Sequence, residues 1–382
     1  MQRSSSMSPY APIRYRDSFW WQFTRDAAQH GAITPSGQIA HDLPDRIMQT
    51  LCQPAATMAV EEFKGQPDGS RLSLQVMAKM MELRHWIPLA GQFELCGRQI
   101  FDLTDDLVEM LAVTDIGDCT LEGWHAPYDA FFVRFGPQTE IKLPFDDGFE
   151  YLDGAFVAVT PWGDVPGDRR IKFGFTTVHE DGRGVEMPGY FLDLNPAEQA
   201  MPILDGIAAS IERRVASMRD PDESPSALDA CRRGMLEEAQ TLMQQAILLL
   251  VNALFYIEST NNKKGDTAVE PGRDTPVDQV VAWAQAQPAR RAKLRSRMTA
   301  DGYVLVHLLG KELQFNSGAK TGGTVRSHWR RGHWRQQRVG PQRAQVERRW
   351  IKPTMVNADR PHDELPGHVY VVGNSNGVSS LH

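Results

Sequence analysis

The densest chemistry in this sequence lies between Thr321 and Lys352. There the run Thr324-Val325-Arg326-Ser327-His328-Trp329-Arg330-Arg331-Gly332-His333-Trp334-Arg335 holds His-Trp-Arg twice, five residues apart, and the whole stretch carries nine Lys and Arg residues. Arginine suits phosphate, because its planar fork donates two parallel hydrogen bonds and keeps its charge at any physiological pH. Tryptophan beside it offers a face on which an unpaired base can stack, worth about 1 to 3 kcal/mol per base. Histidine could add general acid and base chemistry, with arginines stabilising the charge that develops on a phosphorane. These residue types predict a polyanion surface, with single-stranded nucleic acid, and RNA in particular, as the ligand. The predicted contacts are Arg326, His328, Trp329, Arg330, Arg331, His333, Trp334, Arg335, Arg338, Arg343 and Lys352.

Two strands would have to position these side chains. A shift of five residues places equivalent side chains on opposite faces of a regular strand, whose period is two. A bulge at Gly332 would restore parity, putting His328, Arg330, His333 and Arg335 on one face and Trp329, Arg331 and Trp334 on the other. Val339-Gly340-Pro341-Gln342 has turn composition, so Arg343 to Val356 is expected to return as a second strand, giving a basic twisted hairpin. A structural alternative uses the same residues: the tryptophans pack into the body and the arginines pair with its acids. At least one tryptophan is expected to be structural, since two solvated indoles on an isolated hairpin invite aggregation.

The charge distribution sharpens the contrast. Residues 1 to 285 hold 24 Lys and Arg against 42 Asp and Glu, whereas residues 286 to 352 hold 16 against 3, so the net charge of -7 conceals an acidic body and a basic module. With 382 residues and 41% hydrophobic content the chain can bury a sizeable core. The longest apolar run, Ala246 to Ile257, is interrupted by Asn252 and is far below the roughly 20 residues of a membrane span. Met1 to Arg16 is polar and does not read as a secretory leader, which predicts a cytoplasmic location. Cys52, Cys96, Cys119 and Cys231 form no CxxC pair and read as reduced thiols.

Periodicity gives the frame. Helices are predicted over Tyr15 to Gln29, Asp42 to Glu62, Ser70 to Trp86 and Asn195 to Met218. A long buried helix is expected from a cap at Ser226 past Phe255, and shorter ones over Pro276 to Ala286 and Ala289 to Met298, the last strongly basic. Phe131 to Phe135, Gly154 to Thr160, Arg170 to His179 and Tyr190 to Leu194 read as antiparallel strands, Tyr303 to Leu309 as another continuing over Lys311 to Phe315, and Asn261 to Thr275 as an exposed loop. The expectation is an α+β chain with an antiparallel sheet, several helices and a basic C-terminal hairpin. It divides into an acidic body (1-222), a helical segment (226-300) and a basic β-rich module (301-382).

Enzyme signatures are sparse. The chain has no GxxxxGK[ST], GxGxxG or HExxH motif, so no cofactor is expected. His328 and His333 lack cysteines or carboxylates at ligand spacing, so no metal is expected, and His125, Asp129 and His179 read as structural. His328 and His333 are the candidates for a ribonuclease, a reading kept beside that of a binding protein. A DNA-binding regulator is a third reading, though no helix-turn-helix pattern stands out.

The run His328 to Arg335, followed by Trp350-Ile351-Lys352-Pro353-Thr354-Met355-Val356-Asn357, resembles a C-terminal signature of proteins from phages, plasmids and other mobile elements. One branch of that group is an anti-CRISPR family directed against the type V-A nuclease. The resemblance implies a host-defence antagonist that lowers production of the nuclease. It would recognise the nascent N-terminal peptide and cause loss of the messenger RNA during translation, with RNA or the ribosome as the second partner. It supplies no catalytic residue and no oligomeric state.

Overall fold

Phe, Val and Ile in unbroken runs, rather than alternating with polar residues, are what a strand buried on both faces requires. The computed structural model, which describes residues 8–67, 69–145, 148–179, 190–217, 244–260, 269–313, 328–343 and 345–356, shows that arrangement. Strands β1 (Gln99–Leu103), β3 (Ala130–Phe145), β4 (Gly148–Pro161), β5 (Arg169–His179), β6 (Phe191–Leu194), β7 (Glu270–Pro271) and β8 (Leu305–Leu309) form one sheet in the order β6-β5-β4-β3-β1-β8-β7. The four strands read from the middle of the sequence, β3 to β6, are antiparallel neighbours, as expected. The sheet as a whole is mixed, because β1, which the sequence reading missed, runs parallel to both β3 and β8.

Alternate residues of one strand serve two cores. Phe131, Val133 and Phe135 of β3 face a cluster that includes Val157, Phe173 and Phe175 together with α6 (Asp105–Ala112), α8 (Ile203–Ser217) and α9 (residues 244–260). Ala130 and Phe132 face the opposite cluster, built with Phe156 and Ala158 on α2 (Phe19–Gln29), α3 (Leu43–Ile47) and α5 (Gly69–Leu95). At Gly174 a Cβ would come within 2.6 Å of the Trp86 ring, so glycine sets how closely α5 lies on β5. Ile247, Leu250, Val251, Leu254 and Ile257 of α9 are completely buried, which bears out the buried helix; its predicted cap at Ser226 lies outside the described residues.

Other expectations shift. The helix predicted over Asp42 to Glu62 is interrupted by a π-turn at Met48–Cys52, before α4 (Gln53–Glu62). The helix expected to stop at Trp86 runs through Pro88 to Leu95. The loop expected over Asn261 to Thr275 contributes the short strand β7, and Lys311 to Leu313 form a turn rather than more strand. A buried clip fixes the chain start: Asp102 accepts hydrogen bonds from the Tyr10 hydroxyl at 2.7 Å, Arg134 Nη1 at 3.2 Å and Arg273 Nε at 3.1 Å. Burial and the Asp102 carboxylate push the Tyr10 hydroxyl far above its ordinary pKa. Cys52, Cys96 and Cys119 are free thiols, and Cys231 lies outside the described residues.

Contacts divide the chain into two units, one of Met1–Gln314 with Arg331–Pro353 and another of Phe315–Arg330 with Thr354–His382. In the first, α9 shares its core with β3 to β6. In the second, β9 (His328–Arg330) pairs antiparallel with β12 (Thr354–Val356).

Candidate nucleic-acid interface

Two described segments are dense in cations, a hairpin and a helix. β10 (Gly332–Val339) and β11 (Gln345–Ile351) pair antiparallel, with Trp334 opposite Trp350, Arg335 opposite Arg349, and Gln336 opposite Arg348. β10 also lies parallel to β2 (Thr114–Asp115) through Gly332 and His333. From His333 opposite Ile351 to Val339 opposite Gln345 the β10–β11 register runs without a shift, so the bulge expected at Gly332 does not interrupt this ladder. Gly332 has another purpose. A Cβ there would meet Thr114 Oγ1 at 2.6 Å and Pro353 Cδ at 2.8 Å, and glycine lets β2 approach.

One face of the hairpin is spent on the fold. Trp334 is 8% exposed, with its indole N–H donating to Asn252 Oδ1 at 2.7 Å. Its ring meets Phe255 edge-on at 5.5 Å and stacks at 6.2 Å on Trp350, which in turn meets Tyr256 edge-on at 5.4 Å. The Asn252 amide donates onward to the carbonyls of Leu111 at 3.0 Å and Thr114 at 3.1 Å, while Trp350 Nε1 donates to Thr114 Oγ1 at 3.1 Å. Every polar group in this buried relay has a partner, which is the condition for placing polar groups inside a core. Arg348 follows the same direction: it pairs with Glu258 at 2.6 Å and lies 3.8 Å over the Phe255 ring. The structural alternative therefore holds for this face, and Trp334 has no free ring face for a base.

The other face and the tip point outward. Arg335, Arg338, Arg343 and Lys352 are exposed, His333 is half-buried, and Arg349 pairs with Glu347 at 2.9 Å. Arg331 is exposed and engaged within the chain. Of the predicted contacts, Arg326 lies outside the described residues, and His328, Trp329 and Arg330 are described only as the strand β9. His333 stands beside Asp115, whose Oδ1 accepts the Gly117 N–H at 2.9 Å. Among the described residues no group of three His, Cys, Asp or Glu side chains is arranged to hold a metal.

The second segment was read from sequence as a basic helix but not as part of the site. α11 (Pro288–Ala300) carries Arg290, Arg291, Lys293, Arg295 and Arg297, and contains no acid. Buried Met298 anchors it, with Arg291 lying 5.5 Å over the ring of Trp283 in α10 (Val277–Gln285). Arg290, Lys293, Arg295 and Arg297 are exposed, and among the described residues their one ion pair is the long contact of Arg297 with Asp301 at 3.9 Å. The spacing was legible: an eleven-residue stretch from Arg290 with five cations and no acid.

A third charged cluster sits at the β6 edge of the large sheet and was not anticipated. His85 stacks on Phe191 at 5.1 Å, and burial, reinforced by Arg214, pushes its pKa down to about 3. Burial likewise brings Lys172, the neighbour of Asp193 across the β5–β6 ladder, down to about 8. The adjoining cavity, lined by Glu82, Phe191, Arg214 and Ile247 among others, has about 20 Å³ of free volume, room for a water and little more.

Fold and surface together define an α+β protein whose mixed sheet lies between helical layers and whose solvent-facing cations concentrate on α11 and the β10–β11 hairpin. The family model of the AcrVA2-like proteins, the anti-CRISPR type V subtype A2 family, matches residues 101–358, about two-thirds of the chain, and the chain belongs to that family. The signature residues His328 to Asn357 fall inside the match. Among solved structures, the crystal structure of AcrVA2 aligns at 12% identity over 91% of this chain and 97% of that one, with a TM-score of 0.36. No curated protein matches the chain.

Proposed function

We infer that this anti-CRISPR family member antagonises a type V-A nuclease by lowering its production. It recognises the nascent N-terminal peptide of the nuclease and engages RNA or the translating ribosome through its basic surface. The observation that carries this reading is the family match, which spans the large sheet, α9, α11 and the hairpin. The solvent-facing cations support the RNA arm, because basic segments on an otherwise acidic chain attract a polyanion. The peptide arm rests on family membership alone.

The test is co-expression with a type V-A nuclease and with a reporter that carries the first codons of the nuclease gene. Nuclease and fusion reporter should both lose protein and message, while a reporter with an unrelated N-terminus keeps both. Loss of all three, or of none, would overturn the reading. Purified protein incubated with messenger RNA in chelator, without ribosomes, separates an adaptor from a ribonuclease. An adaptor leaves the RNA intact, whereas cleavage abolished by His333→Ala would establish the enzyme.

A further inference from the structure

We propose that α11 is the principal RNA-docking element of this protein and that it takes the phosphate backbone of an RNA duplex rather than a single strand, an inference that rests on the RNA arm of the function proposed above. Arg290, Lys293 and Arg297 follow one another at i, i+3 and i+7, which places them on one face of the helix. At 1.5 Å per residue the three span about 10 Å. A DNA duplex presents roughly six phosphate charges over that length, at one per about 1.7 Å of axis, and an A-form RNA duplex, with its shorter rise, presents at least as many. Arg295, also exposed, adds a fourth cation beside the row.

Among the described residues, the ion pair these side chains make is that of Arg297 with Asp301, at 3.9 Å. Cations three and four residues apart on a helix repel one another, and two of them, Arg290 and Arg291, sit in the first turn, where the helix dipole already disfavours positive charge. No acid on α11 offsets either cost, and Gln287 supplies no side-chain cap. A polyanion laid along the row would offset these costs. The hairpin differs, since Arg348 and Arg349 are committed to Glu258 and Glu347.

The preference for a duplex follows from the aromatics. Single-strand binders draw much of their affinity from bases stacked on exposed rings, whereas double-stranded RNA is held through phosphates, 2′-hydroxyls and shape. α11 has no aromatic residue, and the neighbouring Trp283 is buried beneath Arg291. On the hairpin, Trp334 is enclosed by Phe255 and Trp350.

The experiment measures affinity of the full chain for an RNA duplex of about 20 base pairs and for one of its strands alone, across a salt series. It uses the parent, the triple variant Arg290→Gln/Lys293→Gln/Arg297→Gln, and the hairpin triple Arg335→Gln/Arg338→Gln/Arg343→Gln. The expected result is tighter binding of the duplex and a loss of about tenfold or more in the α11 variant, with its log-log salt slope flattened by roughly two to three. The hairpin variant should lose less, and thermal melts should show both variants folded. Tighter binding of the single strand overturns the duplex assignment. An α11 variant that binds like the parent while the hairpin variant fails overturns the assignment to α11 and leaves RNA binding standing. If the parent binds neither RNA, the RNA arm itself falls. Displacement of bound duplex by a polyglutamate peptide of equal charge at equal concentration would point to an acidic protein partner and overturn the proposal.

Discussion

The helix α11 and the hairpin β10–β11 are both arginine-rich, and they spend their arginines differently. α11 keeps Met298 and Leu294 toward the protein and turns four cations to solvent. In the hairpin, Trp334, Trp350 and Arg348 share one face of the ladder and become core and a half-buried ion pair, Arg335 and Arg349 lie on the opposite face, and Arg338, on the inward face by register, reaches solvent near the turn with Arg343. Counting charges along the chain cannot separate these cases. What decides is whether an element has its second face covered, and α9 covers that of the hairpin through Asn252, Phe255 and Glu258.

The sharpest way to break this contrast is Trp334→Ala. Removing a buried indole with a satisfied N–H leaves a cavity and strands the Asn252 carbonyl, and the expected loss is about 3 to 5 kcal/mol of stability in a denaturant titration. A variant that unfolds like the parent would mean the hairpin is not docked in solution.

Next comes the Arg348–Glu258 pair, whose side chains are 14% and 13% exposed. Arg348→Ala leaves a largely desolvated carboxylate behind and should cost about 2 to 3 kcal/mol after allowance for the remaining exposure. Arg348→Met with Glu258→Leu should recover most of that loss, because the pair is then removed together. Chemical denaturation of the two variants side by side checks this, and an equal cost in both would show that packing around Phe255, rather than charge, sets the stability.

A smaller effect, of opposite sign, is expected on the helix. Lys293→Ala relieves repulsion from Arg290 and Arg297 and introduces the best helix former, so it should stabilise the fold by about 0.2 to 0.7 kcal/mol. The parallel substitution Arg335→Ala should change stability by no more than about 0.5 kcal/mol either way. A clear loss of stability at Lys293 in thermal melts would mean that α11 pairs with acids in the folded chain, and the contrast would collapse.

The sequence reached some of this by itself. Aromatic and β-branched runs marked β3, β4 and β5 as strands, and an apolar stretch broken only by Asn252 marked α9 as a core helix, because local pattern follows local burial. The family resemblance also lay in the sequence, in the residues from His328 to Asn357, and the family match over residues 101–358 agrees with it. Five cations without an acid marked α11 as a strongly basic helix, and the structure turns four of them to solvent.

Other features belong to the tertiary structure alone. β1 is a parallel strand only because β3 and β8 flank it, and five residues of sequence carry no sign of their partners. The meaning of Asn252 was equally hidden: a lone polar residue in an apolar run is a flaw until a buried indole N–H arrives 2.7 Å away from a strand 82 residues further on. The two His-Trp-Arg triplets look alike in the chain, and Trp334 becomes core because Gly332 lets β2 close on the strand beside it while α9 supplies a polar partner. Residue type sets what a side chain can do, but the far segments packed around it decide whether water, a partner residue or a ligand will meet it.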